Sequence, residues 1–169
     1  MNLEIERKWL VSIDRIPYDL TQMNKAALEQ AYISFDPTIR IRRVNGGEKQ
    51  FLTVKARLSE NDPLSRREEE FEISAASYDF LLQKHEGTVV TKDRYKIKNT
   101  DGLIEEIDIF GGALTGLAYL EIEFPNADAA KKYPSPAWID KEVTDDPAYT
   151  NAALAKYGRP PLTAASNPL

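Results

Sequence analysis

Glu4, Glu6 and Lys8 alternate along the opening residues 1–11 of this chain. A β-strand repeats every two residues, so both carboxylates and the ammonium project from one face. Leu3, Ile5, Arg7 and Trp9 take the other face. Two carboxylates held that close repel unless something positive joins them. A divalent cation with oxygen ligands does so, and a lysine one step along can hold a phosphate that shares the metal.

The elements that must carry such chemistry read as strands first and helices after. Residues 1–11, 28–35, 38–44, 49–57, 66–73, 89–98, 103–110 and 117–124 alternate in polarity. Asn45, Gly46 and Gly47 separate two of these segments, and residues 99–102 separate two more, both strong hairpin signals. A helix is expected over 75–86, with Ser74 as its N-cap, Gly87 beyond its end, and Tyr78, Leu81 and Leu82 on one stripe. A short helix follows Asn126. Asp146 and Pro147 open the last, which stops at Gly158. The expected organisation is a single domain over 1–157 with a flexible tail over 158–169.

Placed on these strands, the charges fall in rows. Arg40 and Arg42 oppose Ile39 and Ile41; Lys55 opposes Val54 and Ala56; Lys92 and Arg94 oppose Tyr95. Glu68 and Glu70 oppose Phe71, Glu106 and Asp108 oppose Ile107, and Glu121 and Glu123 oppose Ile122. Acidic rows occupy the first, fifth, seventh and eighth segments and basic rows the third, fourth and sixth. A solvated amphipathic sheet gives the same period, because period two does not say which face is inside. Segregation by sign and the scarcity of Ser, Thr and Gln in the rows favour an interior that holds water, metal and a polyanion.

The spacings, taken together, resemble those of the CYTH family, the triphosphate tunnel metalloenzymes. Glu4, Glu6 and Lys8 form its E-x-E-x-K signature at the N-terminus. Arg40 and Arg42 look like its R-x-R strand, Thr53 and Lys55 its T-x-K strand, and Arg66, Glu68 and Glu70 its R-x-E-x-E strand. Lys92, Arg94 and Tyr95 resemble its K-x-R-Y, while Glu106, Asp108 and Phe110 resemble its E-x-D-x-F. Glu121 and Glu123 are similar to its last E-x-E. Trp138, Glu142, Val143, Thr144, Tyr149 and Asn151 match its closing element. The resemblance spans about residues 1–157.

That resemblance implies an α+β fold, mainly antiparallel β: an eight-stranded closed β-barrel forming a tunnel, with helices packed outside. It implies Mg²⁺ or Mn²⁺ held by Glu4, Glu6, Glu121 and Glu123, and a small triphosphate held by Lys8, Arg40, Arg42, Lys55, Lys92 and Arg94. Glu68, Glu70, Glu106 and Asp108 are then supporting residues that orient cations or water. Tyr32 follows Gln30 and Ala31 where the family carries a similar segment; a lysine beside it would lower its pKa, giving a Lys8–Tyr32 pair for proton transfer. The compact layout most resembles members that hydrolyse inorganic tripolyphosphate to diphosphate and phosphate. Thiamine triphosphatase, class IV adenylate cyclase and a non-catalytic polyphosphate- or nucleotide-binding module remain open at this point.

Composition bounds the partners. A net charge of −5 argues against a nucleic-acid binder that works by bulk electrostatics. Zero cysteines exclude disulfides and thiolate metal sites, which suits a reducing cytosol. With no 18-residue apolar run and no leader-like start, a cytoplasmic protein without a membrane partner is expected, as monomer or homodimer.

Overall fold

The computed structural model describes residues 5–57 and 66–161. Glu4 and residues 162–169, most of the expected tail, lie outside that set. The strands are β1 (Ile5–Leu10), β2 (Lys25–Phe35), β3 (Thr38–Val44), β4 (Lys49–Arg57), β5 (Arg66–Glu72), β6 (Glu86–Lys98), β7 (Ile104–Phe110), β8 (Ala118–Phe124) and β9 (Lys141–Glu142). The helices are α1 (Ala75–Leu82), α2 (Ala127–Lys132) and α3 (Asn151–Tyr157). Positive φ at Asn45 (48°) and Gly46 (68°) turns the chain between β3 and β4, which only residues tolerant of left-handed backbone allow.

All strands pair antiparallel in one sheet of order β5-β4-β3-β2-β6-β7-β8-β1-β9. This corrects the closed eight-stranded barrel. The two ends of the sheet are β5 and β9, and no ladder among the described residues joins them. A ninth strand, absent from the period-two pattern because it is only two residues long, occupies the outer edge of β1. The sheet nonetheless curves far enough that side chains from β1 through β8 line one cavity of about 430 Å³.

The convex face carries the apolar residues of each alternation. Trp9, Ile107, Leu120 and Ile122 are buried under α2, and Ala31 and Ile41 under Tyr78 of α1. Each such large side chain contributes about 1.5–3 kcal/mol by leaving water. The α1 helix ends at Leu82 rather than residue 86, since Gly87 already belongs to β6.

The third helix departs from the expected arrangement. Leu154 and Ala155 of α3 pack with Tyr32, Val90, Phe110 and Tyr119. Val90, Phe110 and Tyr119 share strand parity with Lys92, Asp108 and Glu121, so they belong to the concave face. The concave face is therefore divided into a charged half and an apolar half that α3 covers. Gly87 makes that docking possible: a Cβ there would collide with the Ala155 carbonyl.

Arg7 ties the C-terminal segment to β1. Its guanidinium meets both oxygens of Glu142 at 2.7 Å and donates to the carbonyls of Ala130 at 2.9 Å and Tyr133 at 2.6 Å. That pairing raises the Arg7 pKa above its ordinary value, despite partial burial. Beside it, the Lys8 backbone N–H donates to Thr144 Oγ1 at 3.0 Å and its carbonyl accepts from Val143 N at 2.8 Å. The strand that presents the signature residues is thus fastened on both sides.

Candidate active site

The β1–β8 register sets Glu6 directly opposite Glu123 and Lys8 opposite Glu121. Lys8 Nζ lies 3.0 Å from Glu121 Oε1, and Arg94 Nη2 takes the other oxygen at 2.9 Å. Glu121 is therefore committed to two cations. Glu6 and Glu123 face each other across the ladder, which brings two carboxylates to one place on the cavity wall. Among the described residues no three His, Cys, Asp or Glu side chains stand close enough to hold a metal. The Glu6–Glu123 pair fits a hard divalent cation that takes few carboxylates and completes its shell with phosphate oxygens and water. Glu4, the remaining expected ligand, is outside the described residues.

The β6–β7 wall is buried and tightly paired. Asp108 is 0 % exposed; its oxygens accept from Lys92 Nζ at 2.5 Å and from Arg94 Nε at 2.6 Å. Arg94 also pairs with Glu106, which takes Lys96 at 2.6 Å. Burial pushes the Asp108 carboxyl up, but Lys92 and Arg94 together outweigh it and hold it below the usual carboxylate range. Burial lowers the Lys92 ammonium by more than Asp108 restores, with Arg94 adding to the repulsion. Such a network is stabilising only while complete, because each charge lost leaves another buried alone.

The β3–β5 wall is looser. Arg42 Nη2 reaches Glu70 at 3.3 Å and Arg40 Nη2 reaches it at 3.7 Å. Thr53 bridges them, donating to Glu70 at 2.9 Å and accepting from Arg40 at 3.1 Å. Lys55 meets Glu68 at 2.7 Å, with both side chains roughly a third exposed. Burial lowers the Arg42 pKa, and nearby Arg40 and Arg94 add to that against the pull of Glu70.

Of the expected site residues, Glu6, Lys8, Arg40, Arg42, Lys55, Glu68, Glu70, Lys92, Arg94, Glu106, Glu121 and Glu123 line the one cavity. Asp108 lies beneath it, bonded to Lys92 and Arg94. Tyr32 is a correction. It is 3 % exposed, sits in the apolar cluster with Val90 and Leu154, and stacks on Phe35 at 5.3 Å. Its pKa is raised by burial, which Arg40 offsets only in part, where the expected lysine partner would have lowered it. The aromatic ring beside Lys8 is Tyr119, 5.3 Å from Nζ.

Gln30 and Asn151 also line the cavity, and neither was an expected site residue. Asn151 Oδ1 lies 3.4 Å from Lys92 Nζ. Parity alone could have found Gln30, which shares a face with Leu28; Asn151 reaches the site only through the docking of α3.

Comparison with known proteins adds an independent line. Residues 2–133 match the CYTH domain model. The chain is similar to an inorganic triphosphatase of Nitrosomonas europaea, 37% identical over 154 residues that cover 90% of this chain and 96% of the relative. A second relative, an inorganic triphosphatase of Acetivibrio thermocellus, is 38% identical over 160 residues, 92% of this chain and 95% of its own length. A crystal structure of an inorganic triphosphatase superposes with a TM-score of 0.69 at 35% identity, covering 92% of this chain and 95% of that one.

Proposed function

Because this chain belongs to the CYTH domain family, we propose that it hydrolyses inorganic tripolyphosphate to diphosphate and phosphate, using Mg²⁺ or Mn²⁺. The observation that carries this reading is the convergence of Lys8, Arg40, Arg42, Lys55, Lys92 and Arg94 on one cavity with a facing carboxylate pair at its β1–β8 wall. Relatives named inorganic triphosphatase, matched over nearly their whole length, support it.

The cations neutralise a linear polyanion, and the arginines bind its oxygens in pairs. A divalent ion between Glu4, Glu6, Glu123 and, with rearrangement of its ion pairs, Glu121 would neutralise charge that develops on the phosphates. Lys8, pinned by Glu121, contacts the phosphate under attack and stabilises its oxygens as the bond to water forms and the bridging P–O bond breaks. Glu68, Glu70, Glu106 and Asp108 orient the cations. Tyr32 has no part in this account, since it packs into the apolar half of the concave face with Val90 and Leu154. The partner is a small triphosphate, not nucleic acid, and a cytoplasmic monomer or homodimer fits the composition. No described helix is long and apolar enough to cross a membrane.

The test is phosphate release from tripolyphosphate, thiamine triphosphate, ATP and GTP, each with and without Mg²⁺ or Mn²⁺. Tripolyphosphate with metal is expected to be fastest. Metal-independent release, no release, or cyclisation of ATP would overturn the reading.

A further inference from the structure

Gln30 is neutral, buried and unanswered in a cavity otherwise lined mainly by ion pairs. It is 2 % exposed, and its Nε2 has no hydrogen-bond partner among the described residues. In register it stands between Arg42 on β3 and Val90 on β6, where the charged half of the concave face gives way to the apolar half. Buried N–H groups without acceptors are rare because each keeps a desolvation penalty that nothing offsets. The guanidinium of Arg42 cannot supply the acceptor, since it has only donors. Arg40 Nε and Arg42 Nε are also buried without partners. Three donors on β2 and β3 therefore want acceptor oxygens from outside the chain.

We infer that Gln30 is a substrate-binding residue that donates its side-chain amide N–H to a phosphate oxygen of the triphosphate held by Arg40 and Arg42. This rests on the function proposed above and names a neutral contact within it. The amide adds a directed hydrogen bond without adding to the repulsion among Arg40, Arg42 and Arg94. It also sets one boundary of the site. The ligand's oxygens extend to Gln30 and stop, because the next concave side chains, Tyr32 and Val90, belong to the apolar cluster with Leu154.

The experiment compares wild type with Gln30→Met and Gln30→Glu in three measurements: ligand-free melting temperature, the rise in that temperature with Mg²⁺ and tripolyphosphate, and steady-state KM and kcat. Met conserves shape and removes no hydrogen bond within the protein. Its ligand-free melting temperature should equal or exceed wild type, while KM rises about 10- to 100-fold and the ligand-induced shift shrinks. Glu keeps an oxygen but replaces the donor with a negative charge, and should bind tripolyphosphate more weakly still. A lower ligand-free melting temperature or failure to fold in the Met variant would mean the amide serves the fold, and an unchanged KM would mean it touches no substrate. A Glu variant with wild-type KM would put the amide oxygen on the metal instead; each of these outcomes overturns the inference. A wild-type chain that neither turns over nor is stabilised by tripolyphosphate overturns the proposed function and this inference together.

Discussion

On the β6–β7 wall, fully buried Asp108 takes Lys92 at 2.5 Å and Arg94 at 2.6 Å, whereas on the β3–β5 wall Glu70 reaches Arg42 at 3.3 Å and Arg40 at only 3.7 Å. Both walls present cations to the same cavity, but they solve different problems. Lys92 lies deep and shares the fully buried Asp108 with Arg94, so that carboxylate must hold both whether or not a ligand is present. The Arg40 side chain is no more exposed than that of Arg94, yet Arg40 and Arg42 share only long contacts to the partly solvated Glu70, and their stem N–H groups stay unanswered. One wall is a permanent structure that also binds; the other is a binding surface waiting for its partner.

The strongest way to break this contrast is Asp108→Asn. Leaving Lys92 and Arg94 without their buried counter-ion should cost about 3–5 kcal/mol. In a domain of this size that lowers the ligand-free melting temperature by roughly 6–20 °C. The same residue predicts an acid limb. Its folded pKa lies below the unfolded value of about 3.9, so its contribution is complete above that pH and is lost as pH falls through the folded value. Wild type should therefore lose stability below about pH 4, and the variant should lose less. An Asn variant that melts like wild type would place this pair among ordinary surface charges.

Arg42→Ala should reverse the pattern, with binding affected and folding spared. Loss of a charge-assisted bond predicts tripolyphosphate affinity weaker by about 10- to 150-fold. The ligand-free melting temperature should barely move, since the Arg42–Glu70 pair is partly solvated. Equal affinities for wild type and variant, measured by calorimetry, would make the β3 row a wet face and no wall at all.

The smallest effect should come from Glu70→Gln. Its stability change should stay within about 1 kcal/mol, and tripolyphosphate affinity should hold or tighten, because a competitor for Arg40 and Arg42 is weakened. A large loss of affinity would mean that Glu70 aims those guanidiniums, and the two walls would then differ in degree only.

Period two made the charged rows legible: Arg40 with Arg42, Lys92 with Arg94 and Glu121 with Glu123 each share a face because strand geometry leaves no choice. The sign of curvature was not in the period, and it came from family resemblance. Closure was likewise an expectation from the resemblance, and the ninth strand at the edge of β1 went unread because two residues are too few to alternate. The last helix was misjudged at its start. Pro147 opens a single 3-10 turn, and extended backbone at Thr150 (ψ 149°) resets the chain before its side chain caps α3. Tyr32 had the right parity but the wrong neighbours. Register shifts between Gln30 and Tyr32 and between Tyr32 and Ser34 carry it into the apolar half, and no local signal marks those bulges.

Arg7 sits between the carboxylates and the lysine of the opening signature, yet its guanidinium turns away from the cavity to clasp Glu142 and the end of α2. Glu6, Arg7 and Lys8 thus write two messages on opposite faces of one ribbon, one chemical and one architectural. In a mutational screen scored by turnover, damage at Arg7 would share a phenotype with damage at Glu6 or Lys8. Only a companion measure of folded protein would separate the clasp from the chemistry, and short conserved-looking signatures on strands should be parsed by parity before every letter in them is assigned to catalysis.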